Sequence, residues 1–256
     1  MDYIYIKNKL LINKEDIAMK EPINKLSISI EQLNFYREQG YVVIKNLIQN
    51  ENLNEIYNEI MSYMNIIGLG ECKLKQTSNY VKGSAVDGLI HSTNLCSIAS
   101  QLLEGQAQLY CPFTAVKGAK GGGEFDYHQD NSYTEHRGSS LNLWCALVDM
   151  KIENGCLYID PKSHKKGTLE SEVLEDKHRK VKAVKPIPLI VKAGSCVAFS
   201  RLCVHGSGFN SSDEHRVAYA VQYHRHDTEA LFDNSWELLS VRPRWEDGGV
   251  AKISEL

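Results

Sequence analysis

The sequence lacks the features typical of secreted, membrane-spanning and nucleic-acid-binding proteins. Its cysteines, 7 in all, are odd in number and form no C-x-x-C pair, which argues against a disulfide framework and against a structural zinc knuckle. No stretch approaches the roughly 18 uninterrupted apolar residues of a transmembrane helix. In the opening MDYIYIKNKLLINKED, charged and apolar residues alternate too quickly for a signal peptide. No lysine-arginine block offers a surface for a phosphate backbone. We therefore expect a cytoplasmic protein with neither nucleic acid nor membrane as a partner.

The bulk composition is that of an ordinary globular protein. The chain has 256 residues, of which 43% are hydrophobic and 24% are charged, with a formal net charge of -3. Such a chain can bury a sizeable core, and one all-β domain with added helices commonly reaches this length. We predict a single domain over residues 1–256. Within it we expect a helix-rich part at 29–105 packed on a barrel, a β core at 106–225 and a tail at 226–256.

Helix signals dominate the first third of the chain. Ser29 stands three residues before Gln32, which predicts a capping box, and Gly40 closes the helix that follows. The β-branched run YVVIKNLI then predicts a strand. Two further helices are expected, one capped by Asn50 or Asn52 and one over residues 89–104 that ends at Gly105. A short strand at residues 3–7 is also expected, and the polar stretch between residues 68 and 88 is interpreted as a wall or lid.

From residue 106 onward the pattern changes to short apolar runs separated by turn clusters. QAQLYCPFTAV, FDYHQD, SLNLWCALVDM and SCVAFS are examples, and GAKGGG, ENG and AGS lie between such runs. Many short strands between turns indicate a β-sandwich or barrel. The fold predicted from this pattern is mainly β, a jelly-roll core with flanking helices on one side. The charged segment at residues 171–182 is interpreted as a solvated insertion.

A pair of metal-ligating side chains lies in the short run FDYHQD. His128 and Asp130 are two residues apart, so in an extended strand they point to the same face while Gln129 points to the other. Two imidazoles and one carboxylate on one face are the ligands of a non-haem iron(II) centre with open positions. The pair therefore needs a second histidine.

The missing groups occur together near the end of the β-rich region. His205 ends an apolar run and precedes the turn Gly206-Ser207-Gly208, where a side chain can point into a barrel. Arg216 follows in the strand HRVAYAVQY, and its guanidinium is a rigid fork that matches a carboxylate. A dicarboxylic cosubstrate would need such a group at its distal end.

These motifs resemble the phytanoyl-CoA dioxygenase family of iron(II)- and 2-oxoglutarate-dependent oxygenases. The similarity runs through SIEQLNFYREQGYVVIKNLI, FDYHQDN, LWCALVDMKIENGCLYIDPKSHKKG and AGSCVAFSRLCVHGSGFNSSDEHRVAYAVQY, about residues 29–225. The resemblance implies a double-stranded β-helix core of the jelly-roll, cupin-like type, with Fe(II), 2-oxoglutarate and dioxygen as cofactor and cosubstrates. It implies His128, Asp130 and His205 as catalytic metal ligands, with Arg216, Ser207 and Trp144 binding 2-oxoglutarate. Related halogenases lack the carboxylate, so Asp130 favours hydroxylation or another oxidation that does not involve chloride.

The substrate is the least constrained prediction. Proximity to the metal motif nominates Tyr127, Gln129 and Asn131, together with a rim at residues 80–84 and tail residues Phe232 and Trp236. Lys117 is interpreted as a surface lysine. The polar surroundings favour a small polar or amphiphilic metabolite, an amino acid or a natural-product intermediate, over a fatty acyl-CoA. Two alternatives stay open: a non-catalytic relative that binds metal or 2-oxoglutarate, and a cupin-like zinc isomerase or hydrolase.

Overall fold

The computed structural model describes residues 21–69 and 74–240, and the strand predicted at residues 3–7 lies outside these ranges. The helices are α1 (Ile30–Gln39), α2 (Asn50–Ile67), α3 (Ala85–Ile90) and α4 (Thr93–Leu103). In this part of the chain, no helix combines the length and the apolar character needed to cross a bilayer.

The capping box predicted for α1 is confirmed. The Ser29 hydroxyl accepts from the Gln32 backbone N–H at 3.2 Å, and the Gln32 side chain accepts from the Ser29 N–H at 3.0 Å. Gly40 ends the helix at a φ of 83°, a left-handed conformation that glycine adopts without steric cost. Local side-chain chemistry therefore sets both ends of this helix.

The boundaries of the other helices differ from the predictions. The N-cap of α2 is Gln49 rather than Asn50 or Asn52, and it makes no side-chain capping bond. The helix expected over residues 89–104 is two helices, because the Ser92 hydroxyl accepts from the Leu95 N–H and starts α4 afresh. This helix then ends one residue earlier than predicted, at Glu104 in a left-handed conformation.

The remaining elements are short strands, most of them antiparallel partners in two larger sheets. They are β1 (Tyr41–Ile44), β2 (Ala107–Lys117), β3 (Phe125–His128), β4 (His136–Arg137), β5 (Ser140–Ala146), β6 (Leu157–Ile159), β7 (Glu172–Val173), β8 (Arg179–Lys180), β9 (Ile187–Pro188), β10 (Cys196–Ser200), β11 (His205–Ser207), β12 (Arg216–Arg225), β13 (Glu229–Phe232) and β14 (Ser235–Leu238). One sheet has the order β1-β10-β5-β12-β2 and another has the order β3-β11-β6-β9. This is the predicted mainly β architecture, a double-stranded β-helix with flanking helices.

Alternation along β12 assigns one face of the larger sheet to the helices and the other to the barrel interior. Val217, Tyr219 and Val221 belong to the buried cluster that includes the apolar residues of α2 and α4. Ala218 and Ala220 belong instead to the cluster between the sheets. Because successive side chains of a strand point to opposite faces, Arg216 and Gln222 share the inward face with the two alanines.

The segment at residues 171–182 is largely exposed, as predicted for a solvated insertion, but it also forms regular structure. It contains the β7–β8 hairpin and packs against β3, since the Val181 N–H donates to the Tyr127 carbonyl at 2.7 Å. Lys180 also pairs with Asp126 at 3.4 Å. The described part of the tail, residues 226–240, contains the β13–β14 hairpin, which pairs with β4. The hairpin at 171–182 is thereby held next to the strand that carries His128.

Candidate metal centre and cosubstrate pocket

His128, Asp130 and His205 converge at one buried point. His128 is the last residue of β3, and it lies directly opposite His205, the first residue of β11. Gln129 is extended, with φ -108° and ψ 137°, so Asp130 comes to the same side as His128 and begins a 3-10 turn. One ligating atom from each of the three residues lies within 4.8 Å of the others. Among the described residues, this is the group with metal-ligand geometry.

Backbone carbonyls fix the tautomers of both imidazoles. Nδ1 of His128 lies 2.8 Å from the Asp126 carbonyl oxygen, and Nδ1 of His205 lies 3.0 Å from that of Cys203. A carbonyl only accepts, so each Nδ1 carries the proton and each Nε2 presents a lone pair. The two Nε2 atoms lie 3.8 and 3.7 Å from Oδ1 of Asp130. Burial lowers the pKa of His128 to about 3, so this ring is neutral, as a ligand must be.

The Asp130 carboxylate is held by partners that sequence analysis missed. Gln222 Nε2 donates to Oδ2 of Asp130 at 2.9 Å, and Arg201 Nη2 donates to the Asp130 backbone carbonyl at 2.8 Å. Burial by itself raises the pKa of Asp130, but the His205 ring, Arg201 and a hydrogen bond from Asn142 outweigh it, so the pKa is lowered. Asp130 is therefore an ionised, oriented ligand.

Arg216 presents an uncompensated guanidinium in the same cavity. Its side chain is 1% exposed, and Nη1 donates to the Ala115 carbonyl at 3.2 Å. Nε and Nη2 are buried with no hydrogen-bond partner among the described residues. Burial lowers the pKa of Arg216 to about 9, yet the group stays charged at neutral pH. Because buried cations are normally paired, the two free N–H groups favour an anionic ligand.

Trp144 and Ser207 line the cavity together with Arg216. The Arg216 guanidinium carbon lies 5.4 Å from the centre of the Trp144 ring, within cation–π range. The structure thus brings all six residues predicted for the metal and the cosubstrate into one cavity of about 390 Å³, a volume typical of small-molecule sites.

The part of the cavity wall next to the metal ligands consists of residues that the sequence did not nominate. Phe125, Tyr133 and His178 lie near the metal ligands, with Phe125 ring centres 5.0 Å from His128 and 4.9 Å from His178. His178 comes from the β7–β8 segment that was expected to be solvated. Residues 74–78 form another part of the wall by pairing with the outer edge of β2. The sequence predicts a wall or lid from residues 68–88, but it does not predict the pairing of this segment with β2.

The three substrate residues nominated by proximity do not line this cavity. Gln129 is 0% exposed, and its Nε2 donates to the carbonyls of Gly167 at 3.0 Å and Leu202 at 2.6 Å. Its Oε1 accepts from the Leu169 N–H at 2.8 Å. The nomination of Gln129 is corrected: extended geometry at this residue turns its side chain away from the metal, where it ties two loops together.

Asn131 and Tyr127 are corrected in the same way. The Asn131 amide is used by Thr168 and by the backbone of His136, while Tyr127 lies outside the set of lining residues. The proposed rim at residues 80–84 and the tail residues Phe232 and Trp236 are also outside that set.

Lys117 is buried rather than solvated. It is 0% exposed, and its ammonium group donates to the Gly123 carbonyl and, at 2.6 Å, to the Gly208 carbonyl. The surface interpretation was wrong because Lys117 pairs directly with Arg216, whose side chain lies inside the barrel. Its role visible in the structure is to join two glycine-bearing loops.

Comparison with known proteins agrees with the geometry. Residues 36–218 match the family model described as phytanoyl-CoA dioxygenase (PhyH). The chain belongs to the phytanoyl-CoA dioxygenase family. A family member from Arabidopsis thaliana, phytanoyl-CoA dioxygenase, is 25% identical over 265 residues, covering 82% of this chain and 93% of that protein. Phytanoyl-CoA dioxygenase domain-containing protein 1 from Bos taurus is 38% identical over 117 residues, 38% of each chain.

Solved structures share the fold of this family member. The non-haem alpha-ketoglutarate-dependent carbocyclase SnoK from nogalamycin biosynthesis has a TM-score of 0.70 at 22% identity, covering 91% of this chain and 94% of its own. The epimerase SnoN has a TM-score of 0.65 at 21% identity, covering 78% and 81%. EvdO2 from Micromonospora carbonacea var. aurantiaca, complexed with 2-oxoglutarate, has a TM-score of 0.66 at 18% identity, covering 84% and 97%. The TM-scores show a common fold, while the reactions named for the carbocyclase and the epimerase differ.

Proposed function

We propose that this family member is an Fe(II)- and 2-oxoglutarate-dependent dioxygenase that hydroxylates a small polar or amphiphilic metabolite, with release of succinate and CO2. The observation that carries the proposal is the presence, in one cavity, of a His-Asp-His ligand set and a buried guanidinium with two free N–H groups. The first is a site for a divalent metal with open positions, and the second is a site for a carboxylate.

In this proposal His128, Asp130 and His205 hold the iron, and Arg216 holds the distal carboxylate of 2-oxoglutarate, with Ser207 and Trp144 beside it. Iron bound there would supply the activation of dioxygen, one oxygen atom going to succinate and the other to the substrate. The protein places the substrate bond near the metal and limits the access of water. Phe125 and Tyr133 lie beside His128 in the cavity wall and His178 lies beside Phe125, so we assign these three residues to the substrate side.

The charges that line the cavity narrow the substrate class. Among the described lining residues the only carboxylate is Asp130, which already faces two imidazoles and Gln222. A substrate ammonium group would find no other anionic partner there, and burying an unpaired charge is costly. Neutral hydrogen-bonding groups of Gln76, Ser78 and Asn142 line the same cavity. We therefore favour a neutral or acidic natural-product intermediate over an amino acid bound through its ammonium group.

The two alternatives make different predictions for the same protein. A non-catalytic relative would bind 2-oxoglutarate and form no succinate. A zinc isomerase or hydrolase would work without dioxygen and would not need a carboxylate-binding group. The free N–H groups of the buried Arg216 argue against this alternative, because they favour an anionic ligand.

The test begins with protein reloaded anaerobically with Fe(II). Addition of 2-oxoglutarate is expected to produce a visible charge-transfer band, and admission of oxygen with a panel of metabolites should stimulate succinate release. His128→Ala and Asp130→Ala should abolish succinate release, while the exposed His226→Ala serves as a matched control. Wild-type protein that binds neither iron nor 2-oxoglutarate would overturn the proposal.

A further inference from the structure

The two oxygens of the Asp130 carboxylate have different surroundings. Oδ1 faces the two imidazoles, 3.8 Å from His128 Nε2 and 3.7 Å from His205 Nε2. Oδ2 instead accepts a hydrogen bond of 2.9 Å from Gln222 Nε2. One oxygen is thus directed to the metal position and the other is committed to the protein.

The Gln222 side chain is itself held by a hydrogen bond from Arg201. Arg201 Nη1 donates to Gln222 Oε1 at 3.2 Å, which leaves only the amide nitrogen of Gln222 to face Asp130. The same guanidinium donates through Nη2 to the Asp130 carbonyl at 2.8 Å and to the Thr134 carbonyl at 3.2 Å. Arg201 therefore binds both the backbone of the metal ligand Asp130 and the side chain of Gln222, which in turn binds the Asp130 carboxylate.

The neighbouring strand adds a second amide to this arrangement. Asn142 of β5 lies directly opposite Gln222 of β12, and both side chains line the cavity beside Asp130. Gln222 and Asn142 are 6% and 2% exposed. Two buried amide side chains thus lie beside the Asp130 carboxylate, while Arg201 binds the Asp130 backbone carbonyl.

A carboxylate can bind a metal ion through one oxygen or through both. On an octahedral ion that also holds two imidazoles and a chelating 2-oxoglutarate, two-oxygen binding by Asp130 would fill the last position. We propose that Gln222, held by Arg201, is a positioning residue that keeps Asp130 a one-oxygen ligand and so leaves a coordination position for dioxygen. This inference rests on the proposed iron and 2-oxoglutarate function.

Two substitutions separate the hydrogen bond from simple packing. Gln222→Met keeps the length of the side chain and removes both polar contacts. Gln222→Glu keeps an acceptor for Arg201 and removes the N–H donor to Asp130. Gln108→Met, at a half-buried glutamine of β2 outside the cavity lining, is the matched control.

The readout is nitric oxide, which occupies the oxygen position of an Fe(II)–2-oxoglutarate complex without turnover. Each variant is saturated with Fe(II) and 2-oxoglutarate under anaerobic conditions and titrated with nitric oxide, with the high-spin iron–nitrosyl signal followed by electron paramagnetic resonance. Both Gln222 variants should lose about tenfold or more in nitric oxide affinity, the scale of the effects seen when a hydrogen-bond partner of a metal ligand is removed. The Gln108→Met variant should match the wild type.

Wild-type nitric oxide affinity in Gln222→Glu would overturn the inference even if Gln222→Met were impaired, because only packing would then matter. If Gln222→Met does not fold, Gln222→Glu decides alone. Failure of the wild-type protein to form the iron–2-oxoglutarate complex would instead overturn the proposed function.

Discussion

Replacement of Arg216 by methionine should separate cosubstrate binding from stability. Methionine keeps most of the apolar stem and removes the guanidinium. In the ligand-free protein that guanidinium is buried, with one hydrogen bond to the Ala115 carbonyl and two N–H groups unpaired. Burial lowers its pKa to about 9, which reports the cost of keeping the charge inside the fold.

The expected magnitude follows from those two N–H groups. A hydrogen bond to a charged group contributes roughly 1.5–3 kcal/mol, so two bonds to a carboxylate contribute about 3–6 kcal/mol. At about 1.4 kcal/mol per factor of ten, Arg216→Met should weaken 2-oxoglutarate binding by at least roughly a hundredfold. The ligand-free variant should melt no lower than wild type, since an apolar side chain replaces an unpaired buried charge.

The assay is an anaerobic titration of the Fe(II) protein with 2-oxoglutarate, followed by the visible charge-transfer band. Thermal melting of the ligand-free proteins is measured in parallel. Arg225→Met is the matched control, because Arg225 lies on the same strand but is paired with Asp227 at 2.6 Å outside the cavity. Unchanged 2-oxoglutarate affinity in Arg216→Met would refute the assignment of Arg216 as the carboxylate anchor.

Three further outcomes are expected. His178→Ala should raise the KM of the metabolite found by the succinate screen by about tenfold, the value of one hydrogen bond, with 2-oxoglutarate affinity unchanged; an unchanged KM would exclude His178 from the substrate wall. Gln129→Met should lower the free energy of unfolding by about 2 kcal/mol in denaturant titrations, because it leaves backbone groups of Gly167, Leu169 and Leu202 unpaired. Loss of 2-oxoglutarate binding without loss of stability would contradict this structural role. Burial raises the pKa of Glu59 from 4.5 to about 7, so the folded state binds more protons between these values and stability should fall as pH rises through them. Denaturant titrations of Glu59→Gln should show a weaker fall, and an identical pH profile would count against Glu59 as its source.

The part of the site that could be read from the sequence depends on local geometry. An extended backbone puts residues two apart on one face, so the spacing of His128 and Asp130 predicts that they face the same side and that Gln129 faces the other. The structure agrees, because this alternation turns Gln129 toward Gly167 and Leu202. Closeness in sequence to the metal ligands is therefore no sign that Gln129 contacts a substrate.

The two-residue alternation of a strand also indicates an inward position for Gln222. It lies six residues after Arg216 in one continuous strand, hence on the same inward face, and a polar residue in phase with a buried arginine is unusual in an apolar run. Arg201 offered no comparable signal, because it lies in the turn after β10 and reaches Asp130 only through the folded chain.

The metal-ligating residue types, the jelly-roll class and the ends of α1 follow from the sequence, since capping, alternation and side-chain chemistry act over a few residues. Which strand faces come together depends on long-range packing. His128 and His205 are 77 positions apart in the chain. The register of β3 and β11 places them directly opposite each other. The placement of His178 by the β7–β8 hairpin and the hold of Gln222 on Asp130 also depend on long-range contacts. No local preference encodes such contacts, because their free energy arises only when distant strands pack.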